Sequence, residues 1–302
     1  MELIEAKITA MIVLGLSSLI IGLLPALFTR LTTRIPKLFL SCLLCFGAGV
    51  LLSTSLLHLL PEIREDLGAE NEKYAELILC CGFFILYFVD EFVNIFTKTH
   101  HHHHQVQPQN YGSTSEVNEN TPLNGRQVEN EDISQLCHIG HEEPCSNNFT
   151  GIFSLLLALT IHAVLEGLAV GLENSTEQVL MMLAAVASHK LVVGFCLGAE
   201  LSSVRQISPC QYFIAIGLFA FGSSLGIGIG TKIANLPQVL PPLLMPILQG
   251  LAGGTLLYVT VIEVLPRERA QWHKTHLRSP GILQLLSTLM GFTVMTVLIF
   301  YV

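Results

Sequence analysis

The sequence has few charged residues for its length. Asp, Glu, Lys and Arg make up 13% of its 302 residues, whereas soluble domains carry about 25%. There is also no excess of basic residues, since 15 Lys and Arg stand against 23 Asp and Glu. These shortages exclude a disordered chain and a nucleic-acid-binding protein with a basic face.

Several sequence signatures are also missing. The chain contains no GxxxxGK[ST] phosphate-binding loop and no HExxH zinc-protease motif. Its eight cysteines do not suggest a disulfide framework, because most of them lie in or beside apolar runs, where Cys behaves as a small hydrophobic residue. These six are Cys42, Cys45, Cys80, Cys81, Cys196 and Cys210.

Long apolar runs are the dominant feature. Hydrophobic residues make up 51% of the chain, and the mean hydropathy is +0.59. A helix needs about 18 or more apolar residues to cross a bilayer core of about 30 Å. Eight runs reach this length, and we number them spans 1 to 8: 8–29, 38–60, 75–96, 151–172, 178–201, 211–231, 240–265 and 281–302. We predict an all-α polytopic membrane protein with eight transmembrane helices.

Basic residues predict the orientation of these spans. If the N-terminus is outside, the cytosolic segments contain Arg30, Arg34, Lys37, Lys98, Arg126, Arg205, Arg267, Arg269, Lys274 and Arg278. The outer segments contain only Lys7, Arg64, Lys73 and Lys232. Because cytosolic loops carry the excess of Lys and Arg, we expect both termini to be extracellular, or lumenal in an organelle membrane.

A polar segment divides the membrane domain. We place spans 1–3 in residues 1–96, a disordered cytosolic loop in 97–149 and spans 4–8 in 150–302. Histidine tracts and close Cys/His groups bind zinc-like metals, so weak metal binding by the loop is one interpretation and a neutral linker the other. The candidate ligands are His100, His101, His102, His103, His104, Cys137, His138, His141 and Cys145.

Two apolar segments resemble each other. Residues 48–61 read AGVLLSTSLLHLLP and residues 253–266 read GGTLLYVTVIEVLP. They align without a gap, and His58 falls opposite Glu263. In the predicted orientation the chain runs outward through the first segment and inward through the second. This is an inverted repeat, an architecture common among transporters with a binding site at the membrane midplane.

The clearest chemical signal lies in spans 4 and 5. Span 4 contains HAVLEGLAVGLE, with His162 and Glu166 four residues apart and therefore on one helix face. Span 5 contains SHKLVVGFCLGAE, with His189 and Lys190 in mid-membrane. Since an ionisable residue at the bilayer centre costs roughly 2.5–3.5 kcal/mol, such a group points to function.

Two interpretations of this group remain open. It could be a structural network in which Glu166 pairs with Lys190, or it could bind a divalent cation, and both could hold together. Imidazole and carboxylate ligands suit Zn²⁺ and its first-row neighbours better than Mg²⁺ or Ca²⁺. We favour the metal interpretation because two histidines and a carboxylate occur together.

These motifs resemble the ZIP (Zrt/Irt-like) family of divalent-metal transporters, and within it the animal plasma-membrane zinc importers. The likeness rests on HAVLEGLAVGLE in span 4, HK in span 5, LLHLLPE at the end of span 2 and the His-rich loop. It implies a 3+2+3 arrangement of eight spans with external termini and an inverted repeat. It also implies a central transport site formed by His162, Glu166 and His189.

The chain departs from the family pattern at the second metal. Many members have an Asn after the span 4 His, where this chain has Ala163, and an acid after the span 5 ligand, where it has Lys190. A further ligand would fall on Val193, and no acid occurs between 211 and 232. We therefore predict a mononuclear site, with Lys190 in the second-metal position.

The resulting hypothesis is import of Zn²⁺ into the cytosol by one helix bundle rocking against the other. His58 and Glu62 would collect the ion outside, and Glu263, Asp90 or Glu91 would release it inside. The loop histidines would receive it or sense its level. We expect Zn²⁺ or another divalent metal and the lipid bilayer as partners, no nucleic acid, no cofactor, no enzymatic activity and a plasma-membrane location. The oligomeric state stays open, with a homodimer as one candidate.

Three alternatives also stay open at this point. The transporter could carry iron, manganese or cadmium, because these metals share ligands with zinc. The chain could instead be a metal sensor without flux. It could also be an intramembrane zinc hydrolase, although that class would need a third firm ligand and an acid–base partner.

Overall fold

The computed structural model describes residues 2–31, 37–99, 149–203, 207–235, 243–273 and 279–301. The predicted loop ligands from His100 to Cys145 lie outside these residues. The described ranges form ten α-helices: α1 (Leu3–Leu31), α2 (Lys37–Ser53), α3 (Leu60–Asn71), α4 (Ala75–Thr99), α5 (Phe149–Leu172), α6 (Thr176–Ser203), α7 (Pro209–Ala234), α8 (Leu244–Tyr258), α9 (Leu265–His273) and α10 (Ser279–Tyr301). Two π-helical segments, Thr54–Leu59 and Val259–Val264, connect α2 to α3 and α8 to α9.

The described helices make eight membrane crossings. Seven helical stretches are long and apolar enough to span, and one of them, Leu38–Val93, has 56 residues. At about 1.5 Å per residue it would be about 84 Å long, far beyond the bilayer core of about 30 Å. Gly68 breaks this stretch with a φ of 68°, and Arg64 forms an ion pair with Glu76 across the break. It therefore supplies two crossings, in agreement with the eight predicted spans.

Helix ends differ from the predicted spans where polar residues continue a helix. The first helix begins at Leu3, five residues before span 1, and α4 continues three residues beyond span 3, to Thr99. The last span-7 proline, Pro246, lies in the first turn of α8. Proline is tolerated there because its missing N–H would have no partner within the helix.

The backbone carries the inverted repeat. The π-helical segments Thr54–Leu59 and Val259–Val264 occupy aligned positions, and each precedes a helix whose second residue is proline, Pro61 or Pro266. A proline ring clashes with the carbonyl four residues earlier, and the wider π turn relieves this clash. The resemblance of the two segments is therefore structural.

Helix packing repeats as well. A Cβ added to Gly49 of α2 would lie 2.0 Å from the carbonyl oxygen of Thr288 in α10. A Cβ added to Gly254, the aligned residue of α8, would lie 2.0 Å from the carbonyl oxygen of Leu79 in α4. Each contact brings two backbones together as only glycine permits. Span 2 thus packs on span 8 as span 7 packs on span 3.

The crossings form two bundles. Helices α1, α5, α6 and α7 pack together, and α2, α3, α4, α8, α9 and α10 form the second group. In the first bundle the Tyr212 hydroxyl donates to the carbonyls of Gly22 and Gly198, at 2.7 and 3.1 Å. The Lys7 ammonium donates to the Gly171 carbonyl at 2.7 Å, at the end of α5 that leads into α6. The bundles meet where α5 and α6 face α8 and α2.

We expect Gly49→Ala and Gly254→Ala each to lower the free energy of unfolding by about 1–3 kcal/mol, the usual cost of overpacking. The added methyl would collide with a backbone carbonyl on the neighbouring helix. Thermal melting of the purified protein in detergent measures this effect.

Gly217→Ala is the matched control, because no atom lies within 4 Å of its added Cβ. It should leave stability unchanged or raise it by up to about 1 kcal/mol through helix propensity. Equal melting temperatures for Gly49→Ala and Gly217→Ala would contradict the close approach of α2 and α10.

Candidate metal site

Three predicted ligands meet between α5 and α6. His162, Glu166 and His189 offer ligand atoms that all lie within 4.8 Å of one another. The Nε2 atom of His189 is 2.8 Å from Glu166 Oε1, and the Nε2 atom of His162 is 3.7 Å from Glu166 Oε2. All three residues are buried, with at most 5% of their surface exposed.

Local structure explains why these side chains converge. The i, i+4 spacing stacks His162 and Glu166 on one face of α5. Only residues 173–175 separate α5 from α6, so the two helices turn back on each other and His189 comes alongside Glu166. The apolar sequence around the ligands buries them at mid-helix, and the charged carboxylate is left with histidine partners.

The Nδ1 atoms of both imidazoles form hydrogen bonds with backbone carbonyls. His162 Nδ1 lies 3.1 Å from the carbonyl oxygen of Ala252, and His189 Nδ1 lies 3.1 Å from that of Ala185. Since a carbonyl can only accept, each Nδ1 carries a proton. The Glu166 carboxylate also only accepts, so its 2.8 Å contact is a hydrogen bond donated by His189 Nε2. A metal ion that displaces this proton would bind each ring through Nε2. Metal-binding histidines characteristically use this arrangement.

The partners of His162 on α8 were not predicted from the sequence. Ala252 contributes its carbonyl, and Thr255 Oγ1 lies 3.1 Å from His162 Nδ1. The backbone carbonyl has no residue-specific sequence signature, and Thr255 is one of many small residues in span 7. Because His162 belongs to the first bundle and both partners belong to the second, these hydrogen bonds connect the two bundles.

Lys190 lies beside the site without pairing to Glu166. Its Nζ atom is 4.3 Å from the centroid of the Phe219 ring, a favourable cation–π geometry. Across the described part of the chain, this ammonium has no hydrogen-bond partner. Glu166 pairs with the two histidines instead, so the predicted Glu166–Lys190 network is not the arrangement found in the structure.

A cavity connects the site to the end of the protein where α2 leads into α3. Its empty volume is about 380 Å³, and its lining includes Glu166, His189, His58, Glu62 and Gln249. The Nε2 atom of His58 is 3.8 Å from Glu62 Oε2. Both residues predicted to collect the ion therefore face the same cavity as the central ligands.

The three residues predicted to release the ion separate into two groups. Ser154 hydrogen-bonds both Asp90 and Glu263, the latter at 3.3 Å, and the Tyr258 hydroxyl donates to Asp90 at 3.0 Å. Glu91 is exposed on the adjacent face of α4. Asp90 and Glu263 are thus brought together, whereas Glu91 does not join them.

A second cavity lies on the opposite side of the site and is lined mainly by apolar residues such as Leu44, Val193 and Leu197. Glu200 of α6 and Arg267 of α9 also line it and pair across the two bundles at 3.2 Å. Our sequence analysis missed this pair. Extending the repeat by one residue would have aligned Arg267 with Glu62, placing opposite charges at equivalent positions.

Zinc should stabilise the purified protein through this site. A ligand at 100 times its dissociation constant adds about 2.7 kcal/mol to the free energy of unfolding. We therefore expect zinc to raise the melting temperature of the intact chain and to have a much smaller effect on His162→Ala or Glu166→Gln. Glu177→Gln, an exposed acid at the start of α6, is the control and should keep the full response.

The sequence is similar to known proteins over nearly its full length. The family profile described as ZIP Zinc transporter matches residues 4–299. Zinc transporter ZIP1 of Danio rerio is 30% identical over 310 residues, covering 99% of this chain and 98% of that protein. Zinc transporter ZIP1 of Takifugu rubripes is also 30% identical, and Zinc transporter ZIP3 of Homo sapiens is 29% identical, both with the same coverage.

Proposed function

The chain belongs to the ZIP zinc transporter family and is a zinc transmembrane transporter, and we propose that it imports Zn²⁺ into the cytosol through His162, Glu166 and His189. The observation that carries the proposal is the convergence of two imidazole Nε2 atoms on one buried carboxylate. Glu166 offsets one of the two charges of the ion, and each imidazole replaces a water ligand.

The proposed transport uses one metal at a time. Lys190 follows His189 on α6 and would repel a second cation in the space beside the first. Its ammonium would also compensate the carboxylate when no ion is bound. Zinc is the cargo here, and catalysis and a resident cofactor form no part of the proposal.

The proposed route runs from the outer cavity to the Ser154–Asp90–Glu263 group. The ion would pass His58 and Glu62, bind at the centre, and leave when the bundles rock against each other. The orientation places both termini outside and the His-rich loop in the cytosol. We propose the plasma membrane as the location, with a homodimer as the candidate assembly and the loop histidines as acceptors or sensors of the imported ion.

The proposal predicts saturable uptake of radioactive zinc by cells expressing the chain. His162→Ala and Glu166→Ala should each reduce the maximal rate at least about 100-fold, because each removes a ligand that the buried site cannot replace. Surface labelling must first show equal amounts of each variant. Uptake that survives in both variants would contradict the site.

Competition extends the same assay to the alternatives. Excess iron, manganese or cadmium that blocks zinc uptake, and is itself carried, would favour the broader transporter. A chain at the surface that binds zinc without flux would favour the sensor. Hydrolysis that depends on Glu166 would favour the intramembrane enzyme.

The Glu200–Arg267 pair should hold the inner cavity closed. Cys196 lines that cavity, so in a chain with Cys196 as its sole cysteine we expect slow modification by a cytosolic thiol reagent. Arg267→Gln should accelerate it about tenfold or more, because removing about 1.4 kcal/mol from the closed state multiplies the open population tenfold.

Arg269→Gln is the matched control, since Arg269 is exposed on the same helix. The exchange of Glu200→Arg with Arg267→Glu should restore slow modification. Equal rates in Arg267→Gln and Arg269→Gln would contradict the role of the pair.

A further inference from the structure

One side chain in the outer cavity has an unexplained atom. Gln249 of α8 is buried, with 3% of its surface exposed, and its Nε2 donates to Glu62 Oε1 at 3.2 Å. Its Oε1 has no hydrogen-bond partner among the residues that the structure describes. A buried carbonyl oxygen without a donor is costly, so this oxygen is expected to interact with something that enters the cavity.

The surroundings of Gln249 identify the chemistry of that ligand. Glu62 and His58 line the same cavity as Gln249, and His58 Nε2 lies 3.8 Å from Glu62 Oε2. The group thus offers an imidazole nitrogen, a carboxylate and an orphaned amide oxygen. Nitrogen and oxygen ligands of this kind bind divalent cations.

The inverted repeat shows that this group is specific to the outer side. The residues aligned with His58 and Glu62 are Glu263 and Arg267, and the residue aligned with Gln249 is Leu44. The inner equivalents therefore lack the imidazole and the amide, and one of them is a cation. The group of His58, Glu62 and Gln249 is therefore not a consequence of the repeated backbone.

We propose that Gln249 Oε1, His58 Nε2 and the Glu62 carboxylate form a separate outer binding station for the divalent cation. This inference rests on the proposed function, because the station would pass the ion to His162, Glu166 and His189. Its ligands replace part of the hydration shell before the ion reaches the central site. Because the station has one imidazole and a neutral amide, it binds the ion more weakly than the central site does. Transfer of the ion inward requires this difference in affinity.

The first test measures zinc uptake against concentration. Gln249→Leu, which introduces the residue of the inner repeat, should raise the half-saturating concentration about tenfold, in the range seen when metal-site partners are lost. Gln249→Glu keeps an oxygen ligand and adds a negative charge but removes the N–H donated to Glu62, so it should not raise the half-saturating concentration and should lower it. If Gln249 only positions Glu62, both variants should behave alike. Gln178→Leu, at the exposed outer end of α6, is the matched control.

The second test detects binding without flux. Met182 lines the same cavity, so a Met182→Cys reporter in an otherwise cysteine-free chain can be modified by an extracellular thiol reagent. Zinc should slow this modification in the transport-dead Glu166→Ala background. The additional change Gln249→Leu should remove most of the protection.

The outcomes separate this station from the transport function. Uptake that depends on Glu166 but is indifferent to Gln249→Leu, with unchanged protection of the reporter, would overturn the station and leave the transporter intact. Absence of uptake by the intact chain would overturn the proposed function. Protection that survives in Glu166→Ala and is lost with Gln249→Leu would support the station independently of flux.

Discussion

A carboxylate buried in mid-membrane is the constraint around which this structure is organised. Glu166 lies within an apolar helix, where an acidic side chain costs roughly 2.5–3.5 kcal/mol on insertion scales. The structure compensates it with two imidazoles, one from its own helix and one from α6. Removing one partner of such a group leaves an uncompensated buried charge, so the three ligands depend on one another.

The hydrogen bonds behind the ligands connect this charge to the rest of the fold. His189 is held by a carbonyl of its own helix, whereas His162 is held by Ala252 of the opposite bundle. One ligand therefore moves with α6 alone, and the other is tied to both bundles. Because rotation between the bundles must stretch or exchange the bond to Ala252, site geometry and bundle position are mechanically coupled.

Much of the fold could be predicted because hydropathy and repeat patterns are local properties of the sequence. Span length depends on bilayer thickness, and the aligned segments at 48–61 and 253–266 contain the prolines that produce matching π turns. Helix ends were less predictable, as α4 shows by continuing beyond residue 96 through Thr97 and Lys98 to Thr99. Such polar residues interrupt an apolar run without interrupting the backbone hydrogen bonds of a helix.

The site was predictable to the extent that its ligands share a helix face or follow a family motif. His162 and Glu166 met both conditions, and His189 met the second. Gln249 did not, because a single amide in an apolar helix has no periodic or charge signature, and its significance comes from an atom left without a donor. Glu200 and Arg267 are far apart in sequence, so their pairing depends on how the bundles dock.

The two cavities show how a repeated backbone can support vectorial transport. In the proposed orientation the aligned positions carry Glu62 on the outer side and Arg267 on the inner side, so a cation would meet a carboxylate on one side and a guanidinium on the other. Glu200 of the opposite bundle forms an ion pair with this guanidinium at 3.2 Å. Opening that contact exposes a carboxylate on α6, the helix that carries His189, and leaves the guanidinium on the opposite bundle. When the bundles separate at the inner cavity, the carboxylate of Glu200 stays on α6 with the ligand His189. The cation therefore leaves past a carboxylate as well as a guanidinium.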